Sequence, residues 1–178
     1  MMRLLLKVNP HGADHCSSLF DLLFLAEPMI GTLKHLGIRE NLPPDEISPR
    51  KVGFARLTQL KKIVDDCTAI CAFMECSLDR QAEMIKAVTG WDTGPLELIR
   101  ISERIINVMR LFNLREGFSS DDDILPGRFF KPKTNGILAK RAVDQAKIEE
   151  AKKYYYTLMG WNEEGVPLPE KVEELAIE

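Results

Sequence analysis

Apolar residues recur every three or four positions over long stretches of this chain, and each stretch is ended by a glycine or a proline, not by a change to strict alternation. That spacing is the helical one, so the sequence predicts helix after helix and no convincing strand. The expected fold class is all-α, multihelical, with long irregular loops. With 178 residues and 45% hydrophobic content, the chain can bury one substantial core, and residues 1–178 are expected to form a single domain.

Over residues 52–77, Gly53, Leu57, Leu60, Val64, Cys67, Cys71 and Met74 keep the helical period and predict one long amphipathic helix with two cysteines on its buried stripe. A helix over about 79–89 should stop at Gly90, and the next should open near Pro95 and run to Gly117. A last long helix is expected over 141–158, ending at Gly160, with a short turn from Pro169. Residues 17–36 carry a helical pattern that Pro28 should divide into two short helices. Residues 38–51, with Pro43, Pro44 and Pro49, read as an exposed connector. Residues 118–136 form a long irregular loop, of the kind that is functional or packs on a neighbour.

Composition removes several classes of function. Lys and Arg number 24 against 27 Asp and Glu, a net charge of -3, which offers no footprint for nucleic acid or an anionic membrane. Asp21, Glu27 and Lys34 interrupt the longest apolar stretch, so no membrane span is expected. The opening run to Lys7 is too brief for a signal peptide, and a cytoplasmic location is expected. Cys16, Cys67, Cys71 and Cys76 are not spaced like a secreted disulfide framework and should be reduced thiols. Cys67, Cys71 and Cys76 fall within ten residues, so metal ligation stands beside simple burial.

Three constellations carry the polar chemistry. His11-Gly12-Ala13-Asp14-His15-Cys16-Ser17 gathers two imidazoles, a carboxylate, a thiol and a hydroxyl; it reads as an anion-holding segment or as a capped, solvated loop. Asp66-Cys67-Thr68-Ala69-Ile70-Cys71 sets a carboxylate beside the apolar stripe, where an ionised group requires a partner. Arg110, Arg115 and Arg128 suit bidentate phosphate binding, or pairing with acids such as Asp121, Asp122 and Asp123. Tyr154-Tyr155-Tyr156 with Gly160-Trp161-Asn162 should pack on the core.

In this order, residues 9–15, 66–73, 110–117, 125–128 and 155–167 resemble the C-terminal part of the tungsten-containing aldehyde ferredoxin oxidoreductase family, and the likeness covers essentially the whole chain. The resemblance implies a tungsten (or molybdenum) ion between two pterin dithiolenes, a bis-pterin, beside one [4Fe-4S] cluster, with an aldehyde as substrate and ferredoxin as electron acceptor. The family's pterin-binding pattern Asp-x-x-Gly-Leu-Cys falls on Asp66, Ala69, Ile70 and Cys71. By that likeness Asp66 hydrogen-bonds the pterin, Ile70 stands in the leucine position, and Cys71 is the last of four cluster ligands. Cys67 and Cys76 are left as structural. In the family's Arg-Gly-x-x-His motif the arginine and the residue two past the histidine contact pterin and phosphate, positions held here by His11 and Ser17. The histidine, His15, faces the substrate as the catalytic residue, able to donate a hydrogen bond or carry a proton.

The chain departs from the family at Ala69, where glycine is usual, at Ile70, and at His11, where histidine replaces arginine and weakens a phosphate contact. Absent from it are the sheet-rich N-terminal domain that cradles the pterins and the cysteines that supply three of the four cluster ligands. The expected role is therefore to close the pterin site and donate one cluster ligand, with missing N-terminal domains or a separate subunit as partner. The isolated chain is expected to be inactive, to bind no cluster and to self-associate through its uncovered face. The alternative is a catalytically silent helical fragment or binding module from a split or truncated gene.

Overall fold

A computed structural model describes residues 2–18, 42–43, 46–71, 73–74, 76–136, 139 and 142–178. The two helices expected over 17–36, with Pro28 between them, lie almost wholly outside these residues. Among the described residues six α-helices follow one another: α1 (Met2–Val8), α2 (Pro49–Cys67), α3 (Leu78–Thr89), α4 (Pro95–Arg115), α5 (Gln145–Met159) and α6 (Pro169–Glu174). A 3-10 turn spans Gly127–Phe130. Among the described residues the only β pairing is two isolated bridges, Lys133 with Ala139 and Trp161 with Pro167. The fold is all-α, as the apolar period requires.

Capping chemistry fixes most helix ends. Ser48 accepts from the backbone N–H of Lys51 at 3.2 Å and Pro49 occupies the first turn, so α2 starts three residues earlier than the apolar pattern alone suggests. Ser77 caps α3 and Gly90, at φ +75°, ends it. Beyond α4, Gly117 adopts φ +93°, where its N–H and that of Phe118 close back on Leu114 and Asn113. Asp144 accepts from the N–H of Lys147 at 3.2 Å, so α5 begins at Gln145 and not at 141.

Two features depart from the sequence expectation. Residues 2–8, taken above only as a brief apolar run, form α1 and bury Leu4, Leu5 and Val8 in the core. The helix expected over 52–77 ends at Cys67. Its stripe is real only as far as Leu60 and Val64; Cys67, Cys71 and Met74 are exposed, and Cys76 is the buried cysteine.

Helix α2 lies at the centre, packing on α4 and α5, while α1 packs on α2 and α5 and α3 on α4. The core is filled by Leu5, Leu60, Leu78, Ile106, Tyr155, Tyr156, Met159 and Trp161. Each fully buried aliphatic side chain contributes about 1.5–3 kcal/mol. Tyr155 meets Trp161 edge to face, with centroids 5.9 Å apart. Arg110, the one arginine of its constellation that is buried, lies over Trp161, pairs with Asp123 at 2.8 Å and donates to the Gly165 carbonyl at 2.8 Å. Tyr156 also donates to Asp123. Arg115 pairs with the adjacent Glu116 on the surface and Arg128 lies over Phe129. The aromatic segment packs on the core through Tyr155, Tyr156 and Trp161, and Tyr154 stays at the surface.

Candidate functional site

The end of α2 sets the site's geometry. Its last turn closes with Ala69 N–H on the Asp66 carbonyl at 3.2 Å and Ile70 N–H on the Asp65 carbonyl at 2.8 Å. This reciprocal pair is the Schellman arrangement, which puts the residue after the cap in the left-handed region. Ala69 fills that position at φ +56°. The family pattern has glycine there, and alanine in its place is strained, because a Cβ in this conformation crowds the following carbonyl. Beyond it the chain leaves the helix axis, and Ile70 and Cys71 follow as non-helical residues.

The reversal also decides which aspartate is buried. Asp65, not Asp66, faces the core, where it pairs with Lys61 and accepts from Gln81 Nε2 at 2.6 Å. Asp66 pairs with Lys62 on the surface, and its side chain is 58% exposed. The desolvated carboxylate inferred from the apolar stripe is therefore one residue earlier, and Asp66 is open to whatever approaches from outside.

Opposite Asp66 runs the loop 9–18, pegged by buried amides. Tyr155 donates to Gln59 Oε1 at 2.6 Å, Gln59 Nε2 to Asn9 Oδ1 at 3.4 Å, and Asn9 Nδ2 to the Gly12 carbonyl at 3.1 Å. From α4, Asn113 Nδ2 donates to the Pro10 carbonyl at 2.8 Å. Sequence reading overlooked Asn9, Gln59 and Asn113; of these Gln59 leaves a signal, an amide at a buried helix position otherwise reserved for apolar residues.

Between loop and helix lies a cleft of about 260 Å³, walled by Asn9, Pro10, His11 and Ser17 on one side and Asp66 and Cys67 on the other, over a floor of Ile63, Ile105, Ile106 and Met109. Three of the residues singled out from sequence, His11, Ser17 and Asp66, meet here although 49 positions separate Ser17 from Asp66. His15, Ile70 and Cys71 are not in its wall. His15 is exposed, with Nε2 3.4 Å from Cys16 Sγ, and Cys71 is exposed just past the helix end. Cys67, left above as structural, lines the cleft. Although its residue surface is largely open, partial burial of the thiol raises its pKa, and the Asp66 carboxylate pushes it further the same way. Past Cys71, Phe73 and Met74 are exposed by 79% and 54%, an apolar face continuous in sequence with the site.

Residues 1–177 match the family described as aldehyde ferredoxin oxidoreductase, domains 2 & 3. The tungsten-containing aldehyde ferredoxin oxidoreductase of Pyrococcus horikoshii is 35% identical over 147 residues, and that of Thermococcus kodakarensis 36% over 146; each alignment takes in 80% of this chain and 24% of the relative. An aliphatic sulfonate oxidoreductase, WOR-like subunit, of Pyrococcus furiosus is 31% identical over 119 residues, 63% of this chain and 19% of that protein. The chain thus spans about a quarter of the length of the relatives it matches. Among solved structures, the active site complex BamBC of benzoyl coenzyme A reductase, in complex with 1,5 dienoyl-CoA, superposes with a TM-score of 0.74 at 17% identity, over 99% of this chain and 30% of that one. That likeness is one of fold.

Proposed function

The chain belongs to the aldehyde ferredoxin oxidoreductase family, and from that membership we propose that its cleft is one wall of a tungsten-pterin site in a larger enzyme. The observation that carries the reading is the meeting of His11, Ser17 and Asp66 in a single cleft. The donor set suits one edge of a pterin. The Asp66 carboxylate accepts from ring and exocyclic N–H groups, the His11 imidazole offers a donor to a phosphate, the Ser17 hydroxyl, whose proton goes to the Asp14 carbonyl at 2.7 Å, offers an acceptor to the pterin, and Ile63, Ile105, Ile106 and Met109 give a flat ring an apolar bed. The salt bridge to Lys62 takes one Asp66 carboxylate oxygen and leaves the second for the ligand.

When bound, the tungsten or molybdenum bis-pterin would supply two-electron oxidation of an aldehyde, with a [4Fe-4S] cluster passing electrons to ferredoxin. This chain would add one cluster ligand, Cys71, whose exposure past the end of α2 suits a group shared with protein outside the chain. Ile70 would pack beside the pterin. His15 is the proposed catalytic residue, hydrogen-bonding the substrate oxygen or carrying a proton at Nε2. Residues 1–178 would act as one helical domain, cytoplasmic, with Phe73 and Met74 covered by N-terminal domains or a separate subunit and prone to self-association without them. Among the described residues no helix is long and apolar enough to cross a membrane.

The test is tungsten, iron and pterin content of the tagged chain purified anaerobically from its native host, beside Asp66→Asn and His15→Ala. Wild type should carry all three; Asp66→Asn should lose pterin; His15→Ala should keep it while turnover falls roughly 100- to 10,000-fold. Absence of pterin from wild type, or unchanged pterin in Asp66→Asn, refutes the assignment.

A further inference from the structure

The loop after α1 carries a second set of ligating atoms, separate from the cleft. Asp14, His15 and Cys16 each offer one atom, and the three atoms lie within 4.8 Å of one another. His15 Nε2 is 3.4 Å from Cys16 Sγ, and His15 Nδ1 is 4.0 Å from Asp14 Oδ1. A tetrahedral ion with a sulfur ligand at ~2.3 Å and a nitrogen ligand at ~2.0 Å holds those two atoms about 3.5 Å apart. Sulfur and imidazole therefore already stand at the spacing one ion requires, and no rearrangement of the backbone is needed to bring them together.

The loop is also held by hydrogen bonds of its own. Asp14 Oδ1 accepts from the Cys16 N–H at 2.8 Å, which leaves Oδ2, and Ser17 Oγ donates to the Asp14 carbonyl at 2.7 Å. Asn113, on α4, fixes Pro10 from behind. Ordering the loop in advance lowers the entropy lost when an ion binds. His15 and Cys16 are exposed, so the site has an open approach and room for water as a remaining ligand.

We propose that Asp14, His15 and Cys16 bind a borderline divalent cation of the zinc type, with water completing the tetrahedron. A thiolate beside an imidazole selects zinc, cobalt or copper over magnesium and calcium, whose preference is for oxygen ligands. An ion held there engages His15 Nε2 and withdraws it from proton transfer. The site goes beyond the pterin reading and is measured on the chain itself, without cofactor or partner.

The experiment is titration of the chelator-treated full chain with Co2+, followed by the thiolate-to-cobalt charge-transfer absorption, then displacement by Zn2+. One ion per chain should bind, zinc should erase the band, Cys16→Ser should abolish it, and His15→Ala should weaken binding by at least about tenfold. Circular dichroism of each variant checks that the fold is kept. A wild-type chain without a cobalt–thiolate band overturns the proposal. So does a band that survives Cys16→Ser, or one that disappears in Cys67→Ser or Cys71→Ser instead. Either failure leaves the pterin assignment standing, because that rests on tungsten and pterin content.

Discussion

Replacing Ala69 by glycine should make this chain more stable, against the usual expectation for a change to glycine. Ala69 sits at φ +56° just past α2, locked there by the hydrogen bonds from its own N–H and that of Ile70. Holding a residue with a Cβ in the left-handed region costs roughly 1–2 kcal/mol, and glycine removes that cost. Glycine also gives the unfolded chain more freedom, which offsets about 0.4–1 kcal/mol of the gain. The side chain is exposed, so no packing is lost. The net effect is a stabilisation of roughly 0.5–1 kcal/mol, or about 1–4 °C in midpoint for a chain of this length. Urea unfolding read by Trp161 fluorescence, together with thermal circular dichroism, measures it. Ala82→Gly is the control: it lies buried within α3, in right-handed helix, and should lose about 1 kcal/mol or more. If Ala69→Gly lowers both midpoints as the control does, the left-handed cap is not the resting conformation of this segment and the reasoning fails.

Three further outcomes follow from the same structure. Asp65→Ala should cost about 3–5 kcal/mol in urea unfolding, since it strands Lys61 in the core, while Asp66→Ala, at an exposed pair with Lys62, should cost under ~1 kcal/mol; equal losses would reverse the assignment of which aspartate is buried. Tyr155 and Tyr156 have pKa values raised chiefly by burial, so their neutral forms belong to the folded state. Their contribution is fully present below the unfolded tyrosine value, about 10, and is lost as pH rises above it; phenolate absorbance from these two should emerge only together with alkaline unfolding. The Cys67 thiol, raised first by burial and then by Asp66, should alkylate with a pH midpoint above that of an ordinary cysteine. Asp66→Asn should move that midpoint part of the way back, read by peptide mass spectrometry, and an unmoved midpoint would remove Asp66 as a cause.

The helices were legible where punctuation and period agreed. Gly90, Pro95, Gly117, Gly160 and Pro169 mark ends that the structure keeps, because left-handed caps and first-turn prolines are local requirements. Helix α1 was not legible: seven residues are too few to display a period, and only the surrounding helices make its burial worthwhile. The overrun of α2 has a different origin. Cys67 and Cys71 are spaced as i and i+4, which imitates a helical stripe, and Ala69 hides the stop that a glycine would have announced. The same error displaced the buried carboxylate from Asp65 to Asp66. Of the site, His11, Ser17 and Asp66 were found through their motifs, and the structure adds their common cleft. The amide relay through Gln59 and Asn9 was beyond reach, since pairing over 50 positions leaves no local trace.

Helix α1 has a consequence for the order of assembly. Its apolar face is buried against α2 and α5, and Lys7 forms its ion pair with Glu149, 142 positions further on. During synthesis, Leu4, Leu5 and Val8 emerge well before α5 but gain their full cover only after α5 has been made. Contacts across so long a stretch form late, because loop closure must be met before they return any stability. A nascent chain stalled before Gln145 therefore keeps the apolar face of α1 uncovered, the kind of surface that aggregates or recruits chaperones. The order of synthesis thus places the last step of core formation near residue 149, so fragments ending shortly before and shortly after that point should differ sharply in solubility.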